Sequence, residues 1–243
     1  MKVIVIIPAA GLGTRMAGQA TGKTPAKQFT EINGVPVLIH TLRKFAAAPE
    51  VNEIVLALRK AEGESFAPRL AQEKLSKPVR IVEGGEHRQE SVANAIASIS
   101  AAPDDLILVH DGVRPFVEHE TITNVIEAAS KHGAAIAAVP AVDTIKQVDR
   151  TSEGALVNAT IPRTHIVLVQ TPQGFRFEIL KRAFEEATRD GFTGTDEASL
   201  VERMGEPVWV VMGSPRNIKI TTPSDLELAE FYAGQEAKKY VAG

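Results

Sequence analysis

The sequence predicts an α/β fold in which a mostly parallel sheet is covered by helices on both faces. Continuous runs of β-branched and other apolar residues recur as far as Val139, and such runs are typical of strands buried on both faces. The segments between these runs place apolar residues at helical spacing. Strand–helix alternation with short connections favours a parallel sheet.

The predicted elements of this first part alternate regularly. Leu38, Leu42 and Phe45 share one face of the first helix, and the next two helices follow the same period. We expect strands at 3–7, 53–58, 79–82, 106–109 and 134–139, and helices at 37–47, 89–100 and 122–129.

The order of elements changes after Val139. Charged and turn-forming residues interrupt the apolar residues between 143 and 169, and the segments 145–148 and 155–157 flank a polar turn, which predicts a β-hairpin. A hairpin this polar buries little by itself, so we expect it to pack on another subunit. Because no repeat or linker divides the sequence, we expect one domain over 1–243 with a dimerisation arm at about 142–168.

The remaining elements complete the predicted sheet and its helical cover. Pro223, with Thr222 before it and Asp225 in the first turn, indicates that a final helix runs from Ser224. Before it we expect helices at 177–189 and 196–204, a strand at 208–212 and an extended piece at 217–221.

Composition excludes several classes of chemistry. The 243 residues include no cysteine, which excludes disulfides, thiolate nucleophiles, cysteine-ligated zinc and iron–sulfur clusters. The net charge of −3 provides no general field that attracts nucleic acid, so any polyanion must be bound by a local cluster of cations. No apolar stretch approaches the roughly 20 residues of a membrane-spanning helix. Gly11 directly follows the apolar start, which favours a buried strand over a signal peptide, so we expect a cytoplasmic protein without a membrane partner.

The first strand runs into a loop in which Gly11 and Gly13 stand beside Ala9 and Ala10. Small residues let the backbone approach a ligand closely and expose N–H groups to a phosphate. The loop lacks the third glycine of a dinucleotide fingerprint, because Met16 occupies that place, and it lacks the ending of a P-loop. Taken alone, it is equally compatible with a tight turn that binds nothing.

Cations follow this loop closely in the sequence. Arg15, Lys23 and Lys27 lie on or just after it, and a solvated surface charge is the alternative reading for any one of them. Phosphoryl and nucleotidyl transfer depend mainly on positioning and charge neutralisation, so a cluster of this kind suits a triphosphate.

Two further strand ends carry candidate site residues. Gly84 and Gly85 precede a helix that begins near Arg88 and Ser91, an arrangement that could read a base or bind an anion, or could be a simple strand–helix turn. Asp111 follows a buried strand, where ligands of open α/β sheets bind, so it is a candidate for a metal-bound phosphate or a substrate hydroxyl, with a loop cap as the alternative.

Local patterns elsewhere favour structural roles. The neighbour of Asp111, His110, is most simply a buried, hydrogen-bonded histidine. The segment 195–199 has the pattern of a helix N-cap, and 217–221 that of a strand with one outward lysine.

Taken together and in this order, these segments resemble the family of 2-C-methyl-D-erythritol 4-phosphate cytidylyltransferases of the non-mevalonate isoprenoid pathway. The resemblance implies a Rossmann-like nucleotidyltransferase fold with a projecting β-arm, and a homodimer. It rests on Ala9-Ala10-Gly11-x-Gly13-x-Arg15-Met16, Lys27-Gln28, Gly84-Gly85-x-x-Arg88-x-x-Ser91-Val92, His110-Asp111-x-x-Arg114-Pro115, Asp143-Thr144, Gln170-Thr171-Pro172-Gln173, Thr195-Asp196-Glu197-Ala198-Ser199 and Asn217-Ile218-Lys219-Ile220-Thr221.

The resemblance also implies roles for individual residues, with CTP and a sugar-alcohol phosphate as substrates. Charge on the triphosphate and the α-phosphorus would be stabilised by the catalytic residues Arg15, Lys27 and Lys219. The nucleotide would be bound by Ala9, Ala10, Gly11, Gly13, Gly84, Gly85, Arg88 and Ser91. The acceptor would be bound by Asp111, Arg114 and Thr195, together with Thr144 and Arg163 from the partner's arm. Mg²⁺ would bridge the triphosphate oxygens, with Asp111 as the candidate protein ligand.

Alternatives to this assignment remain open from sequence alone. A sister family that activates ribitol 5-phosphate with CTP often has a bulkier second residue after His-Asp, as Val113 is here, whereas Ile161-Pro162-Arg163 favours the methylerythritol enzyme. Ala26 also separates Pro25 from Lys27, where the methylerythritol family has Pro-Lys-Gln. A nicotinamide-dependent oxidoreductase and a catalytically inert nucleotide-binding module are the alternatives from other classes.

Overall fold

The computed structural model describes residues 1–11 and 26–241. Its strands are β1 Val3–Pro8, β2 Glu31–Ile32, β3 Val35–Pro36, β4 Glu53–Leu58, β5 Val79–Glu83, β6 Leu106–Val109, β7 Ala134–Pro140, β8 Ile145–Thr151, β9 Gly154–Ile161, β10 Val167–Arg176 and β11 Trp209–Met212. Its α-helices are α1 Val37–Ala47, α2 Lys60–Ala71, α3 Arg88–Ser98, α4 His119–His132, α5 Phe177–Arg189, α6 Glu197–Arg203 and α7 Pro223–Val241. Short 3-10 helices occupy Lys27–Phe29 and Arg163–His165.

Seven strands form the central sheet, in the order β11-β7-β10-β6-β1-β4-β5. The pairs β1–β4, β1–β6, β4–β5 and β7–β11 are parallel, whereas β10 is antiparallel to both β6 and β7. This confirms the predicted α/β fold with a mostly parallel sheet.

Helices cover both faces of the sheet, and β1 shows how the sequence directs them. Successive side chains of a strand point to opposite faces. Val3, Val5 and Ile7 pack in the cluster that includes apolar side chains of α1, α2 and α4. The intervening Ile4 and Ile6 pack in a second cluster with side chains of α3, α5 and α6. The continuous apolar run of β1 is therefore buried on both faces of the sheet. Polar side chains that could bind a ligand are left to the loops at the strand ends.

Several elements of the fold differ from the sequence-based prediction, including the short strands β2 and β3, which were not predicted. The helix α2 was not predicted, because Gly63 and Pro68 lower the helix propensity of its sequence. The strand β10 was not predicted, because its polar segment 170–173 contains Pro172, which is unusual inside a sheet. The segment 217–221 was expected to be extended as a strand, but it joins no sheet.

The hairpin β8–β9 lies within the segment predicted to form the arm. It forms its own two-stranded antiparallel sheet, separate from the central one. Leu156 is 66% exposed and Val157 54% exposed, so this hairpin presents apolar side chains to solvent. Within the described part of the chain, no helix combines the length and the apolar character that crossing a bilayer requires.

Candidate active site

A cavity of about 220 Å³ lies beyond the carboxyl ends of β1 and β6, where ligands of open α/β sheets bind. Its walls come from segments that are distant in sequence but meet at this edge of the sheet. The described residues that line it are Pro8, Ala9, Ala10, Gly11, Lys27, Gln28, Arg88, Ser91, Asp111, Gly112, Val113 and Lys219.

Lys27 reaches this cavity because its neighbour Gln28 is anchored to the first strand. The Gln28 side chain is buried, and its Nε2 donates a hydrogen bond of 2.8 Å to the carbonyl oxygen of Ala9. This bond ties the 3-10 helix Lys27–Phe29 to the loop after β1 and sets Lys27 at the cavity wall. Two predicted site residues of this loop, Gly13 and Arg15, lie outside the described residues.

The Gly84–Gly85 turn packs directly against the loop after β1. A Cβ atom added at Gly84 would lie 2.6 Å from the Cβ of Ala10, which is closer than real side chains approach. The Ser91 hydroxyl accepts a hydrogen bond from the Gly85 N–H at 3.1 Å and donates one to the His87 carbonyl at 3.0 Å. Ser91 thus lines the cavity while its hydroxyl holds the shape of the turn.

Gly84→Ala is expected to weaken binding of the nucleotide that the sequence resemblance implies and to lower the melting temperature, because Ala10 must move to make room for the new methyl group. Overpacking at such a contact typically destabilises a protein by about 1–3 kcal/mol. Thermal unfolding and steady-state kinetics measure the two effects. Gly234→Ala is the control, because a Cβ there would meet no atom of the described residues within 4 Å. An unchanged KM for the nucleotide in the Gly84 variant would refute a binding role for this contact.

Asp111 is the centre of the charged part of the cavity. Its carboxylate lies 3.1 Å from Arg88 Nε, 2.8 Å from Lys219 Nζ and 3.5 Å from Arg114 Nε. Burial would raise the pKa of this carboxyl, but the charges of Arg88, Lys219 and Arg114 outweigh burial and hold the pKa well below its usual range. Asp111 therefore stays ionised at neutral pH and holds three cationic groups together.

Arg88 extends this cluster to a second buried carboxylate. Its Nη1 donates a hydrogen bond of 2.8 Å to Oε1 of Glu197, the first residue of α6. Burial raises the pKa of Glu197, although the adjacent Arg88 opposes the shift. Arg88 was predicted to bind the nucleotide, and its guanidinium is held between Glu197 and Asp111 at the cavity wall.

His110 is a buried structural residue, as its sequence context suggested. Its Nε2 lies 3.1 Å from the Arg114 carbonyl oxygen and its Nδ1 lies 3.1 Å from Thr171 Oγ1. Burial lowers the pKa of His110 to about 4, so the ring is neutral at pH 7. Thr171 Oγ1 also accepts the Asp111 N–H at 3.1 Å, and the network therefore fixes the backbone that carries Asp111.

The segment 217–221 presents Lys219 without forming a strand. Arg114 Nη1 donates a hydrogen bond of 2.7 Å to the Asn217 carbonyl, and the Ile220 N–H donates one of 2.9 Å to the Val113 carbonyl. The buried Asn217 side chain donates at 2.7 Å to the Thr171 carbonyl. These bonds attach the segment to the loop after β6, which explains why it is ordered next to Asp111 without a strand partner.

The predicted acceptor-binding residues are only partly brought together within one chain. Asp111 lines the cavity and Arg114 lies behind it, bonded to the Lys219 segment. Thr195 is exposed and precedes the N-cap of α6, two residues before the arginine partner Glu197. Thr144 and Arg163 are exposed on the arm, where Arg163 Nη1 donates to the Val142 carbonyl, and neither is among the described residues that line the cavity.

Two residues of the site were missed from the sequence. Arg59 directly follows β4 and its Nε donates a hydrogen bond of 2.8 Å to the Ala10 carbonyl. The signal was available, because a polar residue at the carboxyl end of a parallel strand is a site candidate. Glu197 belongs to a segment that was noted for its N-cap, but no local pattern predicts its bond to Arg88 more than one hundred residues away.

The described residues do not form a protein-only site for a divalent cation. In residues 1–11 and 26–241, no group of three or more His, Cys, Asp or Glu side chains is arranged to hold a metal ion. Asp111 is the one carboxylate among the described lining residues, and its oxygens face three cationic groups. A metal role for Asp111 stays a prediction that this geometry does not favour.

Comparison with known sequences identifies the family. The model of the IspD family, described as 2-C-methyl-D-erythritol 4-phosphate cytidylyltransferase, matches residues 3–235. A protein of that name from Acidobacterium capsulatum is 56% identical over 239 residues, covering 98% of this chain and 100% of the relative. Another from Solibacter usitatus is 52% identical over 243 residues, covering 98% of each chain.

Solved structures agree with the sequence comparison. The 4-diphosphocytidyl-2C-methyl-D-erythritol synthase of Anaerococcus prevotii superposes with a TM-score of 0.80 at 32% identity, covering 96% of this chain and 98% of that one. The 2-C-methyl-D-erythritol 4-phosphate cytidylyltransferase of Thermus thermophilus gives a TM-score of 0.75 at 35% identity, covering 96% and 99%. With the matched family model spanning nearly the whole sequence, the chain belongs to the IspD family of 2-C-methyl-D-erythritol 4-phosphate cytidylyltransferases.

Proposed function

We propose that the chain joins CTP and 2-C-methyl-D-erythritol 4-phosphate to give 4-diphosphocytidyl-2-C-methyl-D-erythritol and diphosphate. The observation that carries this proposal is the convergence of Lys27, Arg88 and Lys219 on one cavity beside a small-residue loop. The family model and the relatives are named for the same transfer. Transfer to ribitol 5-phosphate, a nicotinamide-dependent oxidoreductase and an inert nucleotide-binding module are therefore not favoured.

The chemistry is an in-line displacement at the α-phosphorus of CTP. A phosphate oxygen of the acceptor forms the new P–O bond, and the bond from the α-phosphorus to the leaving diphosphate breaks. A phosphate monoester carries a charge between about −1.5 and −2 at neutral pH, so its oxygen needs no general base. The obstacle is repulsion between two anions, and the cations of the cavity offset it.

The described residues divide this work by position. Lys27 lies beside the loop after β1 and would stabilise charge on the triphosphate. Lys219, which is paired with Asp111, would stabilise charge on the α-phosphorus from the side where the acceptor binds. Arg88 and the Gly84–Gly85 turn would hold the cytosine end of the nucleotide. Arg114 and Thr195 would bind the acceptor together with Asp111.

We propose that Mg²⁺ accompanies CTP as the counterion of the triphosphate, where it would neutralise phosphate charge. The described donor set supports this placement, because the one carboxylate at the cavity is already engaged by cations. We assign no step of the transfer to the metal. We also place the enzyme in the cytoplasm, where CTP is found, without a nucleic-acid or membrane partner.

We propose further that the chain works as a homodimer through the arm. The exposed apolar residues Val148, Leu156 and Val157 support this, because an isolated hairpin is marginally stable in water and exposed apolar patches mark interfaces. Thr144 and Arg163 would then enter the cleft of the partner subunit and contact its acceptor. This placement accounts for their exposure within a single chain.

Mixing two inactive variants is expected to restore activity if the arm serves the partner's cleft. A mixed dimer of Lys27→Ala and Arg163→Ala chains contains one cleft in which both residues are intact. Random exchange should recover about a quarter of wild-type activity, because half the dimers are mixed and each has one good site. Subunits are exchanged by dilution and the rate is measured on the equilibrated mixture.

The matched control pairs Lys27→Ala with Lys219→Ala, because both residues belong to the same cleft and no intact site can form. Recovery in that control mixture, or none in the Lys27 and Arg163 mixture, would contradict sharing of the arm.

A diphosphate-release assay tests the proposed reaction class. We expect release only when CTP and the acceptor are both present. Release of diphosphate from CTP alone would indicate a hydrolase. No release with 2-C-methyl-D-erythritol 4-phosphate or with ribitol 5-phosphate would indicate an inert nucleotide-binding module. We expect no binding of NADH or NADPH when it is measured by fluorescence.

A further inference from the structure

The loop after β1 is held by two side chains at the point where the sheet ends. The Ala9 N–H makes the last bond of the β1–β4 pairing, to the Ala57 carbonyl at 2.9 Å. The next two carbonyls belong to buried residues and accept from side chains: Gln28 Nε2 bonds to Ala9 and Arg59 Nε bonds to Ala10, each at 2.8 Å. Distant segments thus fix two successive peptide groups of the loop.

The direction of one carbonyl determines the direction of the next N–H. In a planar trans peptide, the C=O of one residue and the N–H of the following residue point in opposite directions. The Ala10 carbonyl points to Arg59, so the Gly11 N–H points away from Arg59. Ala10 and Gly11 are among the described residues that line the cavity, and Arg59 is not.

No described residue fills the space beside Gly11. A Cβ atom added at Gly11 would meet no atom of residues 1–11 and 26–241 within 4 Å, whereas one added at the neighbouring Gly84 would collide with Ala10. Packing by described residues therefore gives no reason for glycine at position 11. Close approach of a ligand to the backbone does give one.

We propose that Arg59 is a positioning residue of the nucleotide site, which holds the Ala10 carbonyl so that the Gly11 N–H is aimed at a phosphate oxygen of CTP. The inference rests on the proposed function, because it requires CTP in this cavity. A charged donor suits the task, since charge-assisted hydrogen bonds are stronger than neutral ones and hold the peptide plane before substrate arrives. A preorganised N–H donor needs no rearrangement when the phosphate binds.

Two substitutions at position 59 separate this role from a direct charge effect. Gln Nε2 is as many bonds from Cα as Arg Nε, so R59Q retains a donor at the same place without the charge. R59M has a similar length but no donor. We expect R59M to raise the KM for CTP about tenfold with little change in the KM for the acceptor. We expect the KM of R59Q for CTP to stay close to that of the wild type.

The matched control is R80M, because Arg80 is a partly exposed arginine on the neighbouring strand that bonds to Glu53 and Ser98 instead of the loop. Its KM for CTP should equal that of the wild type. Melting temperatures are recorded for all variants, since loss of stability with an unchanged KM would show a purely structural role and overturn the inference.

Other outcomes are equally decisive. Equal impairment of R59Q and R59M would show that the charge acts on the phosphate directly, which overturns positioning through Ala10. If R59M does not fold, R59A replaces it as the variant without a donor, and R59Q still tests the direct charge role, which requires its KM for CTP to rise tenfold. Failure of the wild-type chain to bind CTP would refute the proposed function itself. An unchanged KM for CTP in R59M would overturn only the positioning role of Arg59.

Discussion

Lys27→Ala is expected to lower kcat by about 10²–10³-fold while leaving the fold intact. Lys27 lines the cavity on a short 3-10 helix that Gln28 anchors to the loop after β1. In the proposed reaction its ammonium group stabilises charge that develops on the triphosphate as diphosphate leaves. Steady-state kinetics give the rate, and circular dichroism reports the fold. We expect the same of Arg15→Ala, at a position outside the described residues.

The control for this prediction is Lys181→Ala on α5. Lys181 is an exposed lysine whose carboxylate neighbour, Glu185, lies 3.8 Å away, and it is not part of the described cavity lining. Its removal should leave kcat unchanged. Near-normal turnover in a folded Lys27→Ala protein would remove Lys27 from the catalytic residues.

Asp111→Asn is expected to lower kcat/KM for the acceptor by about 100-fold, because one buried carboxylate holds three cationic groups in place. An amide at this position cannot neutralise Arg88, Arg114 and Lys219, and Arg114 and Lys219 would then repel each other beside the acceptor. The KM for the acceptor should rise more than the KM for CTP, since Arg88 keeps its second carboxylate partner, Glu197, and Lys27 and the loop after β1 are unchanged. Equal effects on both substrates would argue against an acceptor-side role.

The same substitution has a signature in the pH dependence of stability. The pKa of Asp111 is lower in the folded than in the unfolded chain, so its stabilisation is fully present at neutral pH. That stabilisation is lost as the pH falls below about 4 towards the folded pKa. Urea unfolding should therefore show a large difference between wild type and variant at pH 7 that shrinks in acid.

Asp190→Asn provides the comparison for this pH effect. The pKa of Asp190 is lowered by hydrogen bonds from Arg203 and Arg189, but these three residues are on the surface, where solvent screens the charges. We expect only a small change in unfolding free energy at any pH. A difference at Asp111 that does not depend on pH would contradict the charge-based explanation.

Most of the central sheet could be predicted from the sequence, because parallel strands that are buried on both faces consist of consecutive apolar residues. Val3 to Ile7 illustrates this, since alternate side chains enter different cores and all are apolar. The antiparallel strand β10 could not be predicted. Its buried polar residues, Gln170 and Gln173, donate hydrogen bonds to partners that lie far along the chain, the Ser214 carbonyl and the Asp196 carboxylate.

The site was predictable where residue type and local context suffice. Glycines at a strand end and Asp111 after a buried strand are local signals, and the structure brings Ala10, Gly11, Lys27 and Asp111 to one cavity. The bond between Arg88 and Glu197 and that between Arg59 and Ala10 join distant elements, so they depend on the folded geometry. The strand expected at 217–221 was wrong because Lys219 is positioned by bonds to a loop, and a short alternating pattern does not reveal that.

The most direct test of the account is identification of the product by phosphorus NMR in reactions with CTP, Mg²⁺ and one of two acceptors. With 2-C-methyl-D-erythritol 4-phosphate, we predict paired resonances of a cytidine diphosphate-alcohol and one equivalent of diphosphate. With ribitol 5-phosphate at the same concentration, we predict much slower formation of the corresponding product. Product with ribitol 5-phosphate but none with 2-C-methyl-D-erythritol 4-phosphate, or no product with either acceptor, would contradict the proposed function.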